Sequence, residues 1–255
     1  MRAQSDRPSN ERGYTLIELV IGVALMGLIF AAVTQLFQIS MNVRARGDTT
    51  EEALSQGRTP LAQLAQDLQQ AGAGLVAPTS FMTQATSTSL TLVGDLNDTE
   101  TTLTVATSAG ATSLTVTSTS GLMVGQTLLL SDGAVRENRT ITGISGNTVT
   151  VNAGFNSAYP VGSIVRSIET AMYTFASKTL SRSQNGGTSS PMADNLSTFA
   201  FTYQDGSTPP VTLSPTTQAV RDQIRQVTVQ VSGQGTGAQP AVRNFQLVVR
   251  PRNLP

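Results

Sequence analysis

The sequence predicts an α+β protein with three parts: a long N-terminal α-helix whose first half is transmembrane, an antiparallel β-sheet head on which the helix packs, and an inserted all-β module. Residues 16–37 are almost entirely apolar. About 22 residues of helix extend roughly 33 Å, which is enough to cross a bilayer core of about 30 Å. From Phe81 onward, Thr, Ser, Val and Leu alternate between Gly-Asn and Asp-Gly turns. That alternation is typical of half-buried β-strands.

Composition narrows the range of functions. Formal net charge is zero and charged residues make up 13% of the chain, so there is no basic footprint for nucleic acid. The chain has no Cys and no His. Disulfides, thiol chemistry, His acid–base chemistry and the usual zinc sites are therefore excluded. We expect a non-enzymatic protein with no cofactor, no metal and no direct nucleic-acid binding.

The apolar segment carries one charge, Glu18, and follows a polar leader that contains arginines. A carboxylate in a membrane helix costs roughly 2–3 kcal/mol, so Glu18 needs a partner. A secretory signal peptide would place a small-residue cleavage site after the apolar run. Here the small residue, Gly13, lies before it, and cleavage there would remove the leader and keep the helix.

The junction resembles the class III signal of type IV prepilins and type II secretion pseudopilins, through Arg12-Gly13-Tyr14-Thr15-Leu16-Ile17-Glu18-Leu19. The resemblance implies that prepilin peptidase cleaves after Gly13 and that the new N-terminus, Tyr14, is methylated. It also implies that Glu18 pairs with the N-terminal amine of a neighbouring subunit. Tyr14 stands where Phe is usual. The alternative interpretation is an ordinary membrane anchor with a stray glutamate.

The division of the chain that follows has five parts: leader peptide 1–13, transmembrane helix 14–40, second half of the pilin helix 41–80, β-rich insertion module 81–169 and C-terminal pilin-like antiparallel sheet 170–255. The helix is predicted over about 15–71, kinked or interrupted near Gly57–Pro60, with Gly72 and Gly74 as its stop. Two glycines lie within the membrane segment, Gly22 and Gly27. They indicate either close helix packing or, at Gly27, local unwinding during assembly.

The end of the helix and the C-terminal strands resemble PilW-like minor pilins. The matching residues are Ala71-Gly72 and the stretches 195–203 and 224–229. The resemblance implies a structural subunit that primes or caps a pilus used for motility, adhesion or DNA uptake. Two alternatives remain: a pseudopilin of a type II secretion system, and a pilus-tip adhesin that binds an external surface through the β module.

The same resemblance implies partners and a location. The partners are other minor and major pilins, prepilin peptidase and an inner-membrane assembly platform. The location is the bacterial inner membrane, with a single span and a cytoplasmic N-terminus before assembly, and then the pilus or pseudopilus on the periplasmic or cell-surface side. The arginines of the leader agree with a cytoplasmic N-terminus.

Three further groups of residues could have a function. Acidic residues in one predicted loop either hold a calcium ion or cap their own turn: Asp95, Asp98 and Glu100. Basic residues of the module form either a binding patch or, as we expect, solvated strand-face charges: Arg136, Arg139 and Arg166. Alternating aromatic residues are expected to form the core face of a strand: Phe199, Phe201 and Tyr203.

Overall fold

A computed structural model describes residues 15–76, 80–234 and 242–253. It confirms the predicted fold class: a long N-terminal helix is followed by antiparallel β-sheets that form the head. The chain divides into two compact units, Met1–Asp48 and Thr49–Pro255.

The first element, α1 (Leu16–Gln70), is a single helix of 55 residues with Pro60 inside it. The predicted interruption near Gly57–Pro60 does not divide the helix, although proline lacks the N–H that the helical ladder would use at that position. The segment Leu16–Arg44 is long and apolar enough to cross a membrane, with a mean hydropathy of 2.6. Its large apolar side chains are exposed. Apart from the nearby backbone of the helix itself, no atom of the described residues lies within 4 Å of a Cβ placed on Gly22 or Gly27.

The head contains fourteen described strands and one short helix. The strands are β1 (Met82–Ala85), β2 (Ser89–Gly94), β3 (Glu100–Thr102), β4 (Ser113–Thr115), β5 (Thr127–Ser131), β6 (Arg136–Ser145), β7 (Thr148–Val151), β8 (Ile164–Ala176), β9 (Thr179–Gln184), β10 (Ser190–Ala193), β11 (Leu196–Gln204), β12 (Thr212–Leu213), β13 (Gln226–Gln234) and β14 (Val242–Val249). The short helix is α2 (Gln218–Arg221).

These strands form two sheets, and every described pairing is antiparallel. The larger sheet runs β1-β2-β8-β5-β6-β7-β4, with β3 and β9 also on β8 and β10 on β9. The smaller sheet runs β12-β11-β13-β14. Strand β8 pairs with four other strands of the larger sheet. Its first half pairs with β3 and β5, and its second half pairs with β2 and β9.

Two separate groups of buried apolar side chains stabilise the second unit. The head cluster joins the end of α1 to both sheets, and its members include Leu64, Leu68, Phe81, Leu90, Leu92, Tyr173, Phe201 and Val229. The module cluster lies among β4 to β7 and their loops, and its members include Leu103, Leu114, Val116, Leu128, Leu130, Val149, Phe155, Tyr159 and Val165.

Strands β1 and β2 pack in the head cluster, although the sequence division places them in the insertion module. They do so because β2 pairs with the second half of β8 and thereby faces the helix. The division of the chain into its five parts stays a prediction. Segments 101–106 and 112–117 meet at a bridge between Leu103 and Val116, whereas β3 pairs with β8 and β4 pairs with β7.

Candidate functional site

The N-terminus of α1 is built around a reciprocal contact between Thr15 and Glu18. The Thr15 backbone N–H donates to Glu18 Oε2 at 3.3 Å, and the Glu18 N–H donates to Thr15 Oγ1 at 3.4 Å. This is a capping box, which satisfies N–H groups that a helix start leaves without intrahelical partners. Both residues are exposed.

The capping box is a second role for Glu18 that our sequence interpretation missed. Its signal was present, since Thr15 precedes Glu18 by the three residues that the motif requires. Within the described residues, the hydrogen bonds to the Glu18 carboxylate come from Thr15. The carboxylate is therefore held at the helix end, where the helix dipole also favours a negative charge.

Two of the predicted site residues, Gly13 and Tyr14, lie outside the described residues. Cleavage after Gly13 and methylation of Tyr14 stay predictions. Pairing of Glu18 with the amine of a neighbouring subunit also stays a prediction.

A buried polar network fixes the end of α1 to the larger sheet. The fully buried Asp67 accepts hydrogen bonds from Tyr173 Oη at 2.6 Å, from Arg182 Nε at 2.9 Å and from Gln63 Nε2 at 2.9 Å. Burial and the Asp67 carboxylate raise the pKa of Tyr173, so its phenol stays a hydrogen-bond donor. Because these partners satisfy the buried charge, the network positions the helix.

The module arginines behave differently from our expectation of solvated charges. Arg166 contacts Asp95 at 3.2 Å and Glu100 at 2.6 Å, and Arg139 contacts Glu137 at 2.6 Å. The expectation was wrong for these two arginines: folding brings Asp95 and Glu100 beside Arg166, and Glu137 lies two residues from Arg139 on β6. Arg136 is exposed.

Two of the acidic residues that could have held a calcium ion, Asp95 and Glu100, instead form ion pairs with Arg166. Burial raises the pKa of Asp95 and Arg166 partly offsets this effect. Among the described residues, no three potential His, Cys, Asp or Glu ligands are grouped as a metal would require.

The aromatic residues Phe199, Phe201 and Tyr203 are buried in the head cluster, as the sequence predicts. The rings of Phe199 and Phe201 lie 4.8 Å apart in an edge-to-face arrangement. These aromatic side chains stabilise the core.

In a comparison with protein families, residues 8–34 match the Prokaryotic N-terminal methylation motif. Comparison with curated proteins and with solved structures gives no match. The matched residues contain the Gly13–Tyr14 junction, the capping box and most of the apolar run 16–37.

The motif supports a type IV pilin-like or pseudopilin subunit, and implies processing by prepilin peptidase and assembly with other pilins. The apolar N-terminal helix, together with this motif, fits a membrane-anchored pilin.

Proposed function

We propose that this chain is a minor type IV pilin of the PilW-like kind, a structural subunit that primes or caps a pilus. The main supporting observation is the methylation motif at 8–34, directly at the start of a helix that continues to Gln70. The head cluster fastens the end of that helix to antiparallel strands, as a pilin head requires. The sequence lacks Cys and His, which agrees with an assembly role rather than an enzymatic one.

Processing is the first part of the proposal to test. The protein isolated from membranes should begin at methylated Tyr14 when its N-terminal peptide is measured by mass spectrometry. A bulky residue at Gly13 should block cleavage and leave the leader attached. Leader residues on the membrane-isolated protein with Gly13 intact would contradict the proposal.

The second test separates two roles of Glu18. Glu18→Gln removes the charge but keeps a side-chain oxygen that can accept the hydrogen bond of the capping box, since the motif is formed by either Glu or Gln. Glu18→Ala removes both. If the charge pairs with a neighbour's amine in a low-dielectric environment, both variants should be processed normally but recruited poorly into the assembly.

Recruitment is measured by co-purification with the other pilins and by the amount of the variant in sheared filaments. The matched control is Thr15→Ala, which weakens the cap but keeps the Glu18 charge, and it should be recruited. Normal recruitment of Glu18→Gln together with failure of Glu18→Ala would show that Glu18 acts through capping alone.

A second candidate function is a pilus-tip adhesin, and one observation favours it. The module has its own group of buried side chains and does not depend on the head cluster for its interior. Deletion of the module would then abolish surface attachment and leave filament assembly unchanged. The motif fits a type II secretion pseudopilin equally well, and loss of secretion rather than of pili on gene deletion would identify it.

A further inference from the structure

At one end of the smaller sheet lies a cavity of about 550 Å³. It is lined by the loop after β11, the start of β13 and the end of β14, and two of its lining residues are Arg225 and Arg250. We propose that this cavity is an oxyanion-binding site in which these two guanidinium groups bind a carboxylate or a phosphate.

Arg225 is held in place by neutral acceptors. Its Nη1 donates to the backbone carbonyls of Asp222 at 2.6 Å and Ile224 at 3.0 Å. Its stem packs against Gly206, where an added Cβ would lie 3.3 Å from Arg225 Cγ. These contacts orient the guanidinium but leave its charge uncompensated.

Arg250 is held in a similar way by a chain of side-chain amides. Its Nε donates to Gln226 Oε1 at 3.2 Å, and Gln226 Nε2 donates in turn to Gln204 Oε1. Gln204 and Gln226 face each other on β11 and β13, so the sheet itself positions this chain.

Three arginines that form ion pairs show what Arg225 and Arg250 lack. Arg139, Arg166 and Arg182 each lie within 4.0 Å of a carboxylate. In the described ranges, neither Arg225 nor Arg250 has such a partner. Two arginines that lack a carboxylate partner among the described residues therefore line one cavity. Each guanidinium has more N–H groups than its hydrogen bonds to neutral acceptors use.

One carboxylate, that of Asp205, also lines the cavity. It is engaged by its own loop: its Oδ1 accepts from Ser207 Oγ at 2.6 Å, from Val211 N at 2.9 Å and from Ser207 N at 3.1 Å. The hydrogen bonds from Ser207 and Val211 lower the pKa of Asp205, so it remains ionised and shapes the loop. The cavity keeps an excess of positive charge, with two guanidinium groups against one carboxylate.

The chemistry of the lining defines the ligand. A guanidinium presents a planar set of donors that matches the oxygens of a carboxylate or phosphate, and such charge-assisted bonds are stronger than neutral ones. Two arginines at one cavity favour a group with two or more acceptor oxygens. A metal cation is disfavoured by the same excess charge.

The first experiment measures binding to the full chain in a neutral detergent by titration calorimetry. The probes are inorganic phosphate and succinate, used at low ionic strength because salt screens exposed charges. At least one probe should bind. Arg225→Gln and Arg250→Gln should each weaken that binding by about tenfold, as expected for loss of one charge-assisted contact.

The control variant is Arg136→Gln, because Arg136 is an exposed arginine of β6 that does not line this cavity. It should bind the probes as the unmodified chain does. A preference for phosphate would indicate a phosphorylated ligand, and a preference for succinate a carboxylate ligand. No binding of either probe, or equal weakening by the control, would overturn the proposal.

A second measurement needs no variant and is therefore independent of any folding defect. Phenylglyoxal modifies accessible arginines, and peptide mass spectrometry reports the extent at each one. The bound probe should protect Arg225 and Arg250 and leave Arg136 equally reactive. Identical modification of all three with and without saturating probe would contradict an oxyanion site here.

Discussion

Asp67 is a charged residue that is buried in the head, where several donors satisfy its carboxylate. Asp67 on α1 contacts Tyr173 and Arg182 from strands more than a hundred positions away. Removing one member of such a group leaves an unpaired charge in the interior, which is more costly than replacing the whole group. These contacts therefore lock the helix to the sheet as a unit.

Asp67→Asn should destabilise the head by about 3 kcal/mol, because Arg182 would lose its buried counter-ion. The measurement is thermal unfolding of the detergent-solubilised chain followed by circular dichroism. Glu100→Gln is a suitable control, since it also removes a carboxylate from an arginine but at an exposed position. An equal loss of stability in both variants would show that burial of Asp67 is not what matters.

In the module, Glu137 is a buried carboxylate that several donors satisfy, as they do Asp67 in the head. Its Oε1 accepts from Ser157 N at 2.9 Å and Tyr159 Oη at 3.1 Å, and its Oε2 from Asn156 N at 2.8 Å and Arg139 Nη2 at 2.6 Å. Burial disfavours its charge, but these donors outweigh burial and lower the pKa of Glu137. The carboxylate thus holds the loop that follows β7.

A lowered pKa in the folded state means that Glu137 stabilises the protein above its usual pKa, and that this contribution is lost as the pH falls through the folded pKa. The difference in melting temperature between the unmodified chain and Glu137→Gln should therefore be largest near neutral pH and shrink in acid. Asp95→Asn is the control with the opposite sign, because burial raises the pKa of Asp95. A pH-independent difference for Glu137→Gln would contradict the assignment.

At the scale of elements, the end of α1 is defined by its contact with β2. Beyond Gln70 the chain turns at Gly72, which has φ 84°, and its N–H donates to the Val93 carbonyl at 2.9 Å. Asp95 N then donates to the Ala73 carbonyl at 3.0 Å. The helix stop is thus also the point at which the chain joins the larger sheet.

Gly72→Ala should destabilise the head for two reasons. A left-handed conformation costs a residue with a Cβ about 1–2 kcal/mol. The added Cβ would also overlap the Asn253 carbonyl oxygen and displace the C-terminal segment. Gly133→Ala measures the conformational cost alone, because Gly133 has φ 94° and no atom of the described residues lies within 4 Å of its Cβ position.

The two variants are compared by their melting temperatures. Gly72→Ala should lower the melting temperature clearly more than Gly133→Ala, for which a loss of about 1 kcal/mol corresponds to roughly 2–4 °C in a domain of this size. Equal losses would show that the contact between Gly72 and Asn253 contributes little.

At the scale of the whole molecule, β8 connects two groups of buried side chains that otherwise remain separate. Its residues Ile164–Ile168 pair with β5, and Glu169–Thr174 pair with β2. Gly94 and Glu169 are direct partners across β2 and β8, so the chain leaves the head and returns to it at adjacent points.

Excision of residues 97–166, with Leu96 joined to Ser167 by an Asn-Gly turn in the register that pairs Gly94 with Glu169, should leave a folded head. The reason is that a two-residue turn of this type closes an antiparallel hairpin and the head cluster stays nearly complete. The full chain with Asn-Gly inserted after Leu96 is the control. Both proteins should unfold cooperatively by circular dichroism, whereas loss of a cooperative transition on excision alone would show that the head depends on the module.

The sequence by itself determined the features that depend on neighbouring residues. The apolar run after Leu16, the stop at Gly72 and the alternation at Phe199, Phe201 and Tyr203 each follow from local spacing, because side-chain period and backbone conformation are short-range properties. The Gly13–Tyr14 junction and the family match at 8–34 likewise depend on consecutive residues.

Only the tertiary structure decided which distant segments meet. It placed β1 and β2 beside the helix in the head cluster, and it paired β8 with strands of both the head and the module. It also supplied the carboxylates of Asp67 and Glu137 with hydrogen-bond donors. It also brought Arg225, directly before β13, and Arg250, directly after β14, to one cavity. Local spacing cannot encode such contacts. Strand pairing and the burial of charge depend on the whole arrangement of the chain, because the favoured arrangement is the one that buries the most apolar surface and also gives each buried polar group a hydrogen-bond partner.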